Sequence, residues 1–167
     1  FADKPDVESV YQEISTLRPE LVSYDMMQMH LGRGEYLAKQ GQLDEAKTVA
    51  QKVKYSEYSY IMMFVAKNQH ENGNTDQAIA TLDEVFAKDP LVDFFDTADP
   101  DEHTGFMGTN PRGYILERLS EAYMAFGAIP QAINAINESQ QYGQYSAMTN
   151  TKIGDLAVEH NNTNALL

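Results

Sequence analysis

Four histidines (His30, His70, His103 and His160) and a run of carboxylates (Asp96, Asp99, Asp101 and Glu102) are the side chains best suited to chemistry in this sequence. No two of the histidines stand four residues apart, the spacing that sets two imidazoles on one helix face for zinc. The stretch from His70 to Asn74 lacks the second histidine of a zinc-protease helix. There is no Gly-x-Ser-x-Gly elbow, no phosphate-binding loop and no dinucleotide fingerprint. Cysteine is absent, which removes disulfides, thiolate metal sites and a thiolate nucleophile. The clustered acids supply hard oxygen ligands of the kind calcium takes, but the glycine bend and closing glutamate of an EF-hand loop are missing. A solvated acidic loop is the plainer reading, and calcium regulation there is an alternative. These residues compose no catalytic constellation, so the expectation is a non-catalytic protein without a cofactor.

Charge narrows the partners. Acidic residues outnumber basic ones 25 to 12, for a formal net charge of −13. That field repels phosphate backbones and anionic membrane surfaces, so neither nucleic acid nor membrane insertion is expected. No apolar run approaches the ~18 residues of a membrane span. The 167 residues, 43% of them hydrophobic, suffice for one domain with a real core. The opening FADKPD has neither an initiator methionine nor a signal-type apolar stretch and reads as a piece of something longer. The compartment stays open, because proteins of either redox environment can lack cysteine.

The elements that would position any site are helices. Apolar residues recur at helical spacing in Val7, Val10, Tyr11, Ile14 and Leu17, then in Leu43, Ala46, Val49, Ala50 and Val53. The same spacing returns in Ala78, Ile79, Leu82, Val85 and Phe86, and in Ile129, Ala132, Ile133 and Ile136. Each of these stripes covers one helix face. Between them lie stretches apolar on more than one face: 26–40, 58–72, 113–126 and roughly 146–160. Such helices are covered on two sides or line a partly covered groove. Gly41-Gln42, Gly73-Asn74 and Gly127-Ala128 mark the turns, and Thr75 is suited to cap the helix that follows its turn. No stretch alternates as a strand does.

The units repeat. Gly41 to Gly73 is 32 residues and so is Ala46 to Ala78, near the period of helix–turn–helix arrays. Gly73 to Gly127 is 54, one period plus about 20 residues that fall at 91–112. That segment holds two prolines, two glycines and five acids against one arginine, Arg112, and reads as an inserted loop. Phe94, Phe95, Phe106 and Met107 flank its acids and are expected to dock on the array or on a partner.

The spacing Leu119-Ser120, Tyr123, Gly127 resembles the first half of a tetratricopeptide repeat, and Gly73, Ala78, Leu82, Pro90 resemble its second half. Gly34, Gly41, Ala46 and Ala50 match in an earlier unit, Val7, Tyr11, Ile14 and Pro19 in a leading half-unit, and Ile153-Gly154 with Ala157 in a trailing one. The sequence departs from the family where His30, Met62 and Leu116 stand in place of the large aromatic, and where the first full unit lacks its closing proline. The resemblance implies an all-α, right-handed superhelical solenoid of stacked antiparallel helix pairs. Its parts are a second helix of a partial unit at 5–18, units at 26–57 and 58–90, the insert at 91–112, a unit at 113–144 and a partial unit at 145–167.

In that family the first helices of successive units line a concave groove that holds peptides. Carried over, the groove comprises Tyr60, Met63, Phe64, Lys67, Tyr114, Arg118, Glu121 and Lys152. The same carried-over lining also includes Leu31, Glu35, Lys39, His70, Glu117 and Met124, with Met148, Thr151 and Asp155 in the last unit. Only Arg118 occupies a basic position of the family's carboxylate clamp, so a chaperone-tail clamp is not expected. The implied function is a scaffold that binds a protein or peptide, and the three basic groups point to an acidic partner. The alternatives are a structural segment that self-associates through an open N-terminal face, and a component regulated by calcium at the acidic insert.

Overall fold

The structure is a computed structural model, described over residues 23–53, 55–88 and 111–142 together with Ser9, Thr16, Thr151, Gly154 and Val158. The described residues form six helices and no strand. They are α1 (Ser23–Lys39), α2 (Leu43–Ala50), α3 (Tyr55–Glu71), α4 (Thr75–Ala87), α5 (Pro111–Ala125) and α6 (Ile129–Gln141). Ser9 and Thr16, inside the expected helix at 5–18, are helical, as are the three isolated positions near the C-terminus. The rest of those partial units, most of the insert with its acids and aromatics, His103, His160 and Lys152 lie outside the described residues. No described helix is long and apolar enough to cross a membrane.

One local device is used three times. Gly41, Gly73 and Gly127 each adopt positive φ, at 76°, 82° and 78°. In the first turn Gly41 N donates to Ala38 O and Gln42 N to Leu37 O, at 3.0 and 2.9 Å. Gly73 and Asn74 repeat this pair of bonds onto His70 and Gln69, and Gly127 and Ala128 repeat it onto Met124 and Tyr123. Orphan carbonyls at a helix C-terminus are satisfied this way, and the left-handed residue it needs is readily supplied by glycine. The next residue is already the N-cap of the following helix, so the chain reverses at once. That leaves no room for Thr75 to cap α4. The cap position is Asn74, with no side-chain cap bond, and the Thr75 hydroxyl lies 3.0 Å from His70 Nδ1 instead.

Packing follows the two kinds of helix expected from the sequence. α2, α4 and α6 bury one stripe each, the last through Ile129, Ala132, Ala135, Ile136 and Ser139. α3 is buried on several sides, through Tyr58, Ile61, Met62, Val65 and Ala66, and touches α1, α2, α4 and α5. α1 packs on α2, α3 on α4 and α5 on α6; α1 also packs on α3, and α5 on both α3 and α4. Met62 and Leu116, standing where the repeat family carries an aromatic, are buried in the shared core. Each such side chain contributes about 1.5–3 kcal/mol on leaving water.

The helix bounds differ slightly from the expected units. α1 opens at Ser23 and α3 at Tyr55, three residues ahead of 26 and 58. α5 opens at Pro111, so the last two residues of the expected insert are helical. Proline suits the first helical position, where its missing N–H has no acceptor to lose.

Polar bonds pin the hairpins together. Thr81 Oγ1 donates to Gln69 Oε1 at 2.8 Å inside the α3–α4 interface, where both residues are buried. The buried Tyr123 on α5 donates its phenol to Asp83 Oδ1 on α4 at 2.7 Å. Burial, then this bond and the nearby charge, push the Tyr123 phenol above its ordinary value, so it stays protonated and keeps donating. Tyr123→Phe is expected to cost about 1 kcal/mol, because the exposed Asp83 regains water while the charge-assisted bond is lost. A urea midpoint unchanged within error would remove the bond from the account of stability.

Candidate functional site

The carried-over residues on α3 and α5 meet side by side. Tyr60 on α3 and Tyr114 on α5 share a hydrogen bond between their phenols. Burial first, and that bond second, raise the Tyr60 phenol far above its ordinary value against the opposing charge of Arg118. Tyr60 is therefore a neutral group at any physiological pH. Arg118 lies one helical turn after Tyr114, and its guanidinium carbon is 5.1 Å from the centre of the Tyr114 ring. Arg118 Nη1 donates to Glu121 Oε2 at 2.7 Å. Burial works against the Arg118 charge, but Glu121, Tyr114 and Glu117 outweigh it and hold its pKa above the ordinary value. The result is a fixed strip of two phenols, one guanidinium and one carboxylate across two helices.

On the same two helices, Met63, Phe64 and Met124 are half-buried and lean on the core. Tyr114 is among the exposed large side chains. Aromatic rings and adaptable thioethers are well suited to holding an apolar side chain of a partner. His70 is used otherwise. Its ring stacks on Phe126 with centroids 4.4 Å apart, beside its contact with Thr75, so it joins the end of α3 to the α5–α6 turn.

The cations described on this face have carboxylates on their own helices. Lys39 pairs with Glu35 at 2.6 Å, Lys67 with Glu71 at 3.8 Å and Arg118 with Glu121 at 2.7 Å. Every one of these pairs is made within a single helix, at a spacing of three or four residues. Both members of the Lys67 pair are well exposed, so water screens it, and Lys152, the third basic group of the expected groove, lies outside the described residues. Among the described residues no three His, Asp or Glu side chains gather as a metal site.

Sequence reasoning missed Arg112, which it placed in the insert. Its buried guanidinium donates to Phe86 O at 2.7 Å, to Lys88 O at 3.1 Å and to Glu138 Oε1 at 2.9 Å. It also missed Lys88, whose Nζ stands 3.9 Å from the centre of the Tyr58 ring. No local signal marks either contact.

His30, half-buried on α1, has its pKa lowered by burial first and then by the charges of Arg33 and Lys52. The unfolded chain therefore binds more protons at position 30 than the folded one between His30's ordinary value of 6.5 and its lowered value. Stability falls as pH falls through that window. His30→Gln is expected to flatten the pH dependence of the urea midpoint below about pH 6.5. Parallel curves for variant and wild type would assign the acid sensitivity to other groups.

Comparison of the chain with protein-family models, with curated proteins and with solved structures finds no match in any of the three.

Proposed function

We propose that the chain is a tetratricopeptide-like array, a right-handed stack of helical hairpins that binds a protein or peptide segment without catalysis. The binding face is the groove formed by α1, α3 and α5. The observation that carries the reading is the Tyr60–Tyr114–Arg118–Glu121 strip. It combines preorganised aromatics and an arginine next to the half-buried Met63 and Phe64, the residue types that dominate binding energy at interfaces. The recurrence of one hairpin turn, with first helices packed on first helices, supports the array. Self-association and calcium regulation rest on residues outside those described.

Peptides selected from a random displayed library on the wild-type protein would test the reading. Tyr114→Ala with Arg118→Ala removes two of the more exposed members of the strip. Their loss is expected to weaken the selected peptides about tenfold or more, near 1.4 kcal/mol, with helicity retained. Equal binding by the double variant would move the binding face elsewhere. Collapse of helicity would make the strip part of the core.

A further inference from the structure

The three hairpin turns share a backbone but not a chemistry. The residue before the left-handed glycine is Gln40 in the first, Asn72 in the second and Phe126 in the third. An asparagine before glycine is prone to intramolecular attack, because the following amide nitrogen closes a five-membered ring on the side-chain carbonyl without interference from a Cβ. A glutamine would close a slower six-membered ring, and phenylalanine has no amide to attack. We propose that Asn72 is a site of spontaneous deamidation, gated by opening of the last turn of α3.

The turn itself maintains the reactive pair. Gly73 has φ +82°, where an L side chain is strained, so the fold favours glycine immediately after Asn72. Asn72 and Gly73 are both exposed, and nothing lies within 4 Å of where a Cβ on Gly73 would sit. Water and hydroxide thus have access to the reacting atoms. Asn74, two residues on, precedes the β-branched Thr75, whose Cβ hinders the same attack.

The reacting groups are tied back in the closed turn. Gly73 N, the nucleophile, donates its proton to His70 O at 2.9 Å. Asn72 Nδ2, the leaving nitrogen, donates to Asn68 O at 2.8 Å and to Asn68 Oδ1 at 3.1 Å. Asn72 N is held by Asn68 O at 3.1 Å. Fraying of the helix end frees them together. Hydroxide then removes the Gly73 amide proton, the nitrogen bonds to Asn72 Cγ, and the Cγ–Nδ2 bond breaks with departure of ammonia. The succinimide left behind adds water at one of its two carbonyls. Opening between Cγ and the ring nitrogen yields aspartate; opening at the main-chain carbonyl yields isoaspartate. No electron transfer is involved, and each event adds one negative charge to the turn.

The full chain, incubated at 37 °C near neutral and at mildly alkaline pH, with and without urea, gives the test by peptide mass mapping. The expected result is a one-dalton gain confined to the peptide containing Asn72, with isoaspartate as a product and Asn74 unchanged. The rate should rise with pH and be at least about tenfold faster in urea, because the turn is then always open. Asn72→Gln should abolish the gain in both conditions. No gain at Asn72 even in urea would overturn the site, and equal rates folded and unfolded would overturn the gate. Earlier reaction at another asparagine of the folded chain would also count against the proposal.

Discussion

Replacing Arg112 by methionine is expected to destabilise the fold by about 3 kcal/mol, a drop in melting temperature of about 6–12 °C for a chain of this size. The side chain is only 7% exposed and joins three elements at once. It supplies N–H groups to Phe86 O and Lys88 O at the C-terminal end of α4, where orphan carbonyls and the negative end of the helix dipole both call for a cation. It also meets Glu138 on α6 and stacks near Phe86, with the guanidinium carbon 5.5 Å from the ring centre. Methionine retains the aliphatic stem and loses every donor. Glu138 is 27% exposed and recovers some hydration, which keeps the cost at the low end for a broken buried pair. Lysine retains the charge but not the planar fork, so Arg112→Lys is expected to recover less than half of the loss. Urea melts read both variants. A methionine variant within about 0.5 kcal/mol of wild type would show that the three contacts are replaceable by water.

Gly34→Ala is expected to destabilise by about 1–2 kcal/mol, although alanine is the better helix former. A Cβ at position 34 would lie 2.5, 2.7 and 2.8 Å from Cγ1, Cδ1 and Cγ2 of Ile61. Ile61 is fully buried and β-branched, so its stiff χ1 resists the rotation that would make room. Overpacking of this kind costs about 1–3 kcal/mol, and three contacts below 3.0 Å place it at the upper end, so it exceeds the roughly 1 kcal/mol gained in helix propensity. Gly32, two residues earlier on α1, is exposed with nothing within 4 Å of its Cβ position. Gly32→Ala is therefore expected to stabilise by about 0.5–1 kcal/mol. Opposite signs at the two positions would locate the close approach of α1 and α3. A stabilised Gly34→Ala would mean that the two helices move apart without penalty.

Part of the candidate site's arrangement is legible in the sequence. Tyr60, Met63, Phe64, Tyr114, Arg118 and Glu121 follow from a family resemblance, and of these Tyr60, Tyr114, Arg118 and Glu121 lie together across α3 and α5. Lys67 and Arg118 each have a carboxylate, Glu71 and Glu121, within one turn on the same helix. Those pairs follow from three- and four-residue spacing and were readable in principle. His70 was counted toward the groove, and its stacking on Phe126 depends on where α5 ends relative to α3, which no local pattern encodes.

What the sequence by itself determined is the local architecture: among the described residues, six helices, their one-sided or many-sided burial, and turns at Gly41, Gly73 and Gly127. Both signals are short-range. A helix writes its buried face at 3.6-residue spacing, and a left-handed residue between two such stretches calls for glycine. Only the tertiary structure decided which side chains meet across helices. Ile61 against Gly34, Asp83 under Tyr123, Tyr60 beside Tyr114 and Arg112 over the end of α4 all depend on the register of one helix against another. A shift of one turn would exchange each of these partners while leaving every helical stripe as it is, so the periodicity holds no record of them.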